Sequence, residues 1–155
     1  MSLDITYLIE KYPDKRWNWY ELSANPNITM SYIINNPDKP WDWCCLSLNP
    51  NMTMSDVLNN PDKPWYWPHL SVNKNITMSD VINNPNKPWS LSHLSKNPNI
   101  TISFIEQNMD KIDFQNLSIN TFTDNTELFK ILDLLNIPYD ITLIIVEYFT
   151  KKRNP

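Results

Sequence analysis

The sequence predicts an all-α fold, a short α-solenoid of about four to five helical repeats with a C-terminal helical cap. One phrase, Asn-Pro-Asp-Lys-Pro-Trp with a Leu-Ser pair and an Asn-rich turn after it, returns every 24 residues. A period of this length is typical of arrays in which each repeat buries its apolar face against its neighbours. Three sets of residues keep the period: Trp17, Trp41, Trp65 and Trp89; Leu22, Leu46, Leu70 and Leu94; and Ser23, Ser47, Ser71 and Ser95.

Two regions are predicted. Residues 1–120 form the solenoid, and residues 121–155 form a helical pair that closes its open end, because an array needs terminal caps. Residues 3–12 read as a degenerate half-repeat, and the last copy carries Phe114 as its aromatic residue. We place the repeats at 12–35, 36–59, 60–83 and 84–107, with a partial copy at 108–120.

Each repeat is predicted to contain two short helices. The first follows a threonine with the position of an N-cap and ends before the next proline, which cannot continue a helix. These threonines are Thr29, Thr53, Thr77 and Thr101. The second begins at Asp-Lys-Pro-Trp, and Pro68 limits it to a single α or 3₁₀ turn. In three successive repeats the first turn of this second helix is expected to contain a proline, namely Pro40, Pro64 and Pro88. The chain has no glycine, so Asn is expected at any left-handed turn position.

The repeated apolar residues are predicted to be core. Trp43 and Leu46 are three residues apart and share a helical face, and large aromatic residues dominate protein cores. The alternative is an exposed aromatic ladder that stacks bases or holds a Pro-rich peptide. The predicted core residues are Trp17, Trp19, Trp41, Trp43, Trp65, Trp67, Trp89, Leu22, Leu46, Leu70 and Leu94.

Composition and charge narrow the classes of protein. Hydrophobic residues make up 41% of the chain and aromatic residues 12%, which is too apolar for a disordered chain. A net charge of −4 argues against nucleic-acid binding, because a phosphate-binding surface needs clustered Lys and Arg. No apolar run reaches the roughly 20 residues that span a bilayer, so no membrane partner is expected. Without a recognisable signal peptide or a disulfide partner for Cys44 and Cys45, an intracellular, non-secreted protein is expected.

Positions that differ between copies are expected to face outward, either as a partner surface or as neutral surface. The candidates are Tyr20, Glu21, Cys45, His69 and His93. The last four share one repeat position, but none has the local spacing of zinc ligands, so no metal and no cofactor is expected. No catalytic motif is present, and a phosphate-binding loop needs glycine, so the chain is not expected to be an enzyme.

Two resemblances follow from these residues. The alternation of two short helices over 24 residues is similar to the leucine-rich-variant type of α-solenoid, which implies α and 3₁₀ helices in a right-handed superhelix. The phrase Asn-Pro-Asp-Lys-Pro-Trp-x-Trp-x-x-Leu-Ser-x-Asn-Pro-Asn-Ile-Thr resembles the tryptophan-containing tandem repeats of giant DNA viruses. This second resemblance covers residues 12–108. It implies a viral source, and a location in the host cytoplasm or the virion, but no established activity.

The C-terminal segment 137–149 resembles the opening of an F-box, with Ile-Pro, an acidic residue and apolar residues at helical spacing. The matching residues are Ile137, Pro138, Asp140, Ile141, Ile144, Ile145, Tyr148 and Phe149. This resemblance implies docking on a Skp-type adaptor of a cullin ubiquitin ligase while the repeats select a target. The alternative is an amphipathic helix that only caps the solenoid.

The sequence therefore favours a non-enzymatic protein–protein interaction module or scaffold, which binds a partner through outward positions of its repeats. Two alternatives stay open. One is the F-box-like substrate adaptor, and the other is a structural or assembly protein that self-associates.

Overall fold

The computed structural model describes residues 4–120, which form ten α-helices and contain no strand. The predicted all-α repeat architecture is confirmed. The second helix of each repeat, for which α or 3₁₀ was predicted, is an α-helix throughout this range. The helices are α1 (Ile5–Lys11), α2 (Trp19–Ala24), α3 (Met30–Asn35), α4 (Trp43–Leu48), α5 (Met54–Asn59), α6 (Trp67–Val72), α7 (Met78–Asn83), α8 (Leu91–Leu94), α9 (Ile102–Gln107) and α10 (Phe114–Ser118).

Each full repeat contributes one odd-numbered and one even-numbered helix, and helices of neighbouring repeats lie side by side. The even-numbered helices pack directly on each other, α2 on α4, α4 on α6 and α6 on α8. The odd-numbered helices contribute their own apolar residues to the same continuous core. That core runs through every repeat, as a solenoid requires. Its buried residues from the odd-numbered helices include Ile9, Met30, Ile33, Met54, Val57, Met78, Val81 and Ile105.

The predicted threonine N-caps are confirmed for α3, α5, α7 and α9. In each case the threonine Oγ1 accepts a hydrogen bond from the backbone N–H three residues later, at 3.2–3.3 Å. In α5 and α7 the aspartate at that position also accepts from the threonine N–H, which completes a capping box at Thr53–Asp56 and at Thr77–Asp80. A local sequence pattern thus fixes where these helices start.

The start of the even-numbered helices differs from the prediction. Pro40, Pro64 and Pro88 precede the helices and do not lie in their first turn. The N-cap is instead the residue two positions after each proline, and its N–H donates to a buried serine of the preceding repeat at 2.9–3.0 Å. In α4 this residue also caps with its side chain, since the Asp42 carboxylate accepts the N–H of Cys45 at 2.7 Å, whereas α6 and α8 have no side-chain cap. Pro68 lies at the second position of α6, where a missing N–H removes no helical hydrogen bond, so α6 is a regular short α-helix.

The C-caps of the ten helices in residues 4–120 need no glycine. All ten C-cap residues have negative φ angles, from −59° to −131°. Any L-residue adopts negative φ, and only positive φ favours glycine. No left-handed position therefore arises at these C-caps for asparagine to fill.

A row of buried asparagines joins each repeat to the one before it. Asn73 Nδ2 donates to the backbone oxygens of Ser47 at 3.0 Å and of Asn49 at 3.1 Å, and its Oδ1 accepts the N–H of Asn75 at 2.9 Å. Both amide hydrogens and the amide oxygen are therefore used. The same inter-repeat bonds recur along the row, which we call the asparagine ladder: Asn49, Asn73, Asn97 and Asn120, each at most 2% exposed.

The repeated serines form a second set of links between repeats. Ser47 Oγ donates to the carbonyl oxygen of Trp43 at 2.7 Å and accepts the N–H of Tyr66 from the next repeat at 2.9 Å. Ser23, Ser71 and Ser95 make equivalent bonds and are fully buried. A small side chain with a hydroxyl is needed at this position, which accounts for its constancy between copies.

Replacing Asn73 with alanine is expected to cost about 2–4 kcal/mol of unfolding free energy, because buried backbone carbonyls of the preceding repeat lose their donors. Urea denaturation followed by circular dichroism measures this. Asn83→Ala is the matched control, since Asn83 is an exposed asparagine at the end of α7. An equal effect of both substitutions would contradict a structural role for the ladder.

Candidate interaction surfaces

The residues predicted as core lie at two levels of burial. Leu22, Leu46, Leu70 and Leu94 are buried, as are Trp41 and Trp65. The remaining tryptophans are half-buried and pack against the core, and they are Trp17, Trp19, Trp43, Trp67 and Trp89. The tryptophans therefore form the margin of the core as well as part of its interior.

Tryptophans of successive repeats meet edge to face. The ring centroids of Trp43 and Trp65 are 4.9 Å apart at an angle of 87°, and Lys63 Nζ lies 6.0 Å from the Trp43 centroid. The pairs Trp19–Trp41 and Trp67–Trp89 have the same geometry, each with a lysine over the first ring. These rings thus contact each other and the lysines of this chain, through edge-to-face and cation–π interactions.

The indole N–H of the first tryptophan in each repeat is also used within the chain. Trp41 Nε1 donates to the carbonyl oxygen of Asn36 at 2.9 Å, and Asn36 Nδ2 donates to that of Tyr32 at 3.0 Å. Trp17, Trp65 and Trp89 make the equivalent bond to the end of the preceding helix. These donors therefore satisfy the helix ends and are not available to hold a peptide.

Four of the five variable positions are accessible. Tyr20 and Glu21 are exposed, and His69 and His93 are half-buried. Cys45 was expected on the partner surface and is instead buried, with 6% of its surface exposed. The reason is the size of its side chain: the short thiol of Cys45 stays between α4 and its neighbours α2 and α6, whereas the longer His69, at the equivalent position of α6, is half-buried. Cys45 is therefore removed from the candidate surface.

Variable residues of α4 and α6 contact one another and form a small patch. Cys44 Sγ lies 3.3 Å from His69 Nδ1, which also lies 2.9 Å from the Cys44 carbonyl oxygen. The Tyr66 ring meets the His69 ring edge to face, with centroids 4.7 Å apart. We call Cys44, Tyr66 and His69, with the exposed Tyr20 on α2, the variable patch. His93 repeats the position of His69, but no other described repeat has Cys at the position of Cys44 or Tyr at that of Tyr66, so this combination occurs once in residues 4–120.

The thiols of this region are not activated as nucleophiles. Burial, with a smaller effect of Asp42, raises the pKa of Cys44, and burial also raises the pKa of Cys45. The interaction with Cys45 raises the pKa of Tyr20. Reactive cysteines have a lowered pKa because a nearby positive charge stabilises the thiolate. The patch is therefore suited to contact rather than to covalent chemistry.

The odd-numbered helices carry a second surface that the sequence prediction missed. Ile34, Leu58 and Ile82 occupy the same position in α3, α5 and α7 and are 52%, 44% and 58% exposed. We call these three residues the aliphatic stripe. The sequence shows that each follows an aliphatic residue directly, and the structure buries the first of the two and exposes the second, because neighbours on a helix point about 100° apart.

Two grooves lie beside this stripe at equivalent positions, two repeats apart. The first has a volume of about 450 Å³ and is lined by residues that include Ile34, Pro40, Trp43 and Pro64. The second has a volume of about 390 Å³, and its lining includes Ile82, Pro85, Trp89, Leu91 and Phe104. Each groove thus joins one end of the stripe to the tryptophan row, and the first groove is also lined by the charged residues Lys39, Asp62 and Lys63.

Residues 4–120 contain neither a cluster of metal-ligating side chains nor a helix that could span a membrane. No group of three or more His, Cys, Asp or Glu side chains in this range could hold a metal ion. None of its helices combines the length and the apolar character needed to cross a membrane. The F-box-like residues of 137–149 and the predicted cap of 121–155 lie outside the described residues.

Comparison with protein-family models, with curated proteins and with solved structures finds no match to this chain.

The two cysteines are expected to differ in their reaction with iodoacetamide. Cys44 is exposed and Cys45 is buried, so mass spectrometry of the native protein should find Cys44 labelled first, with Cys45 labelled only on unfolding. Because the pKa of Cys44 is raised, its labelling rate at neutral pH should fall below that of a model thiol and rise about tenfold per pH unit. Equal labelling of both thiols would contradict the placement of α4, and Cys44→Ser and Cys45→Ser assign the signals.

Proposed function

We propose that this chain is a non-enzymatic protein-interaction module, in which the stacked repeats hold a binding surface in fixed register. The aliphatic stripe carries this proposal, because three successive helices present exposed aliphatic residues at the same position beside two grooves. Single exposed aliphatics are ordinary, whereas aligned ones with pockets are typical of interfaces.

The variable patch supports the same function from another side of the repeat. The asparagine ladder and the serine links recur from copy to copy, while Tyr20, Cys44 and Tyr66 do not, and His69 returns only as His93. A scaffold of constant residues with unrepeated exposed residues can distinguish one partner from another. In this proposal the stripe supplies apolar binding energy and the patch supplies selectivity.

The source and the C-terminal segment extend the proposal. The likeness of the repeat phrase to giant DNA virus proteins supports a viral source and an intracellular partner, viral or host. The F-box-like sequence of 137–149 favours a second candidate, a substrate adaptor that docks on a Skp-type adaptor of a cullin ubiquitin ligase. In that case the repeats present the target while the C-terminal segment contacts the ligase.

The test is affinity capture from a eukaryotic lysate with the full-length protein and two variants of α5. Leu58→Lys places a charge in the stripe, and Asn59→Lys places the same charge on the next, also exposed, residue. We expect the captured proteins to fall at least about tenfold with Leu58→Lys and to stay unchanged with Asn59→Lys, because only Leu58 belongs to the stripe.

Both variants should unfold at the wild-type midpoint, because both positions are exposed. Light scattering on the same samples reports self-association, which is the structural alternative. Appearance of a Skp-type adaptor and a cullin among the captured proteins would support the adaptor candidate. Capture that does not depend on Leu58 would contradict the proposed binding surface.

A further inference from the structure

The aliphatic stripe ends in an acidic residue on each side. Glu10 in α1 and Glu106 in α9 occupy the repeat position that Ile34, Leu58 and Ile82 occupy in the three helices between them. Both glutamates are exposed. The complete column therefore reads acidic, three aliphatic, acidic, along five successive odd-numbered helices.

This charge pattern argues against a second copy of the chain as the occupant. If two stripes paired side by side in the same direction, Glu10 would face Glu10 and Glu106 would face Glu106. If they paired in opposite directions, Glu10 would face Glu106. Both in-register symmetric arrangements place like charges opposite each other, which costs binding energy at an interface.

From this we infer that the stripe binds an amphipathic helix of another protein, with aliphatic residues along one face and Lys or Arg at both ends. This inference rests on the proposed function and specifies its ligand. The basic ends would face Glu10 and Glu106, and the chain's net charge of −4 also favours a basic partner.

The repeat spacing suits such a helix. The even-numbered helices pack directly on each other, and packed helices lie roughly 8–10 Å apart, so we take this distance as the advance of one repeat. Seven residues of an α-helix advance about 10.5 Å. A ligand with one aliphatic residue in every seven can therefore place one residue at each step of the stripe. The outer two would lie at the grooves beside Ile34 and Ile82, and the middle one would contact Leu58.

The lysines near the grooves already contact other side chains of this chain. We therefore expect the two glutamates to determine which charge is preferred in a ligand. Lys63 Nζ lies 3.1 Å from the Asp62 carboxylate, and this partner lowers the pKa of Asp62. Lys39 lies 5.9 Å from the Trp19 ring centroid, and Lys87 lies at the same distance from that of Trp67. Contacts of this kind hold a cation in place against an aromatic ring.

Two synthetic helical peptides of about 30 residues test the inference. Both carry leucine at every seventh position, one has lysines at both ends, and the other has glutamates there. Fluorescence anisotropy measures their binding to the full-length protein. We expect the lysine-ended peptide to bind at least about tenfold more tightly, with a preference that shrinks at high salt. Leu58→Lys should weaken both.

Charge reversal provides the matched test of specificity. The double variant Glu10→Lys/Glu106→Lys should reverse the preference, so that the glutamate-ended peptide binds more tightly. The control variant Asn35→Lys/Asn83→Lys, at exposed positions next to Ile34 and Ile82, should leave the preference unchanged. Equal binding of both peptides, or binding of neither below about 100 μM, overturns the inference. A dimer that Leu58→Lys dissociates also overturns it, because the occupant is then a second copy.

The remaining alternative occupant is the chain's own basic segment, Lys151 to Arg153. A full-length variant with these three residues changed to glutamine, which adds no negative side chain, should bind the lysine-ended peptide as the wild type does. Tighter binding would show that the segment occupies the stripe and would overturn a partner in trans. If capture from lysate depends on Leu58 but the peptides do not discriminate, the inference fails while the proposed function stands.

Discussion

The asparagine ladder is the interaction on which the other features of this solenoid depend. Each ladder side chain enters the interior with two N–H donors and finds backbone carbonyls of the preceding repeat, 24 to 26 residues away, for Asn49 and Asn73. A buried amide without partners would cost several kcal/mol, so each repeat must stack in one register. That requirement constrains the spacing of the repeats, which is 24 residues from Asn49 to Asn73 and from Asn73 to Asn97, and 23 residues from Asn97 to Asn120, which keeps its bonds.

The constraint on the interior leaves parts of the surface free to differ. Serine, leucine and the first tryptophan of each repeat bond or pack across the repeat boundary, and they scarcely vary between copies. Residues that do not take part in these links, such as Tyr20 and His69, change from copy to copy. The aliphatic stripe is exposed and is retained in three repeats, as are the polar positions of Asn35, Asn59 and Asn83. The stripe differs from those positions because its residues are aliphatic, and aligned aliphatic side chains that face solvent are typical of a binding surface.

Local signals made much of the fold predictable. The threonine N-caps and the leucines that recur every 24 residues can be predicted from neighbouring residues. In the structure the threonines start helices and the leucines are buried. The asparagine ladder was not predicted, because asparagine beside proline is an ordinary turn residue and its partners are a whole repeat away. The position of Cys45 could not be read either, since its burial depends on helices on both sides. Pro40 was misplaced because the cap formed by Asp42 lies beyond it.

Hydrogen exchange of asparagine side-chain amides, measured by NMR, tests the ladder most directly. If the ladder joins the repeats into one cooperative unit, the Nδ2 protons of Asn49, Asn73 and Asn97 should exchange only through global unfolding. Their free energy of exchange should then equal that of the backbone amides of Leu46 and Leu70. Exchange as fast as that of the exposed Asn83 side chain would contradict the account, because the ladder would then be open to solvent in the folded protein.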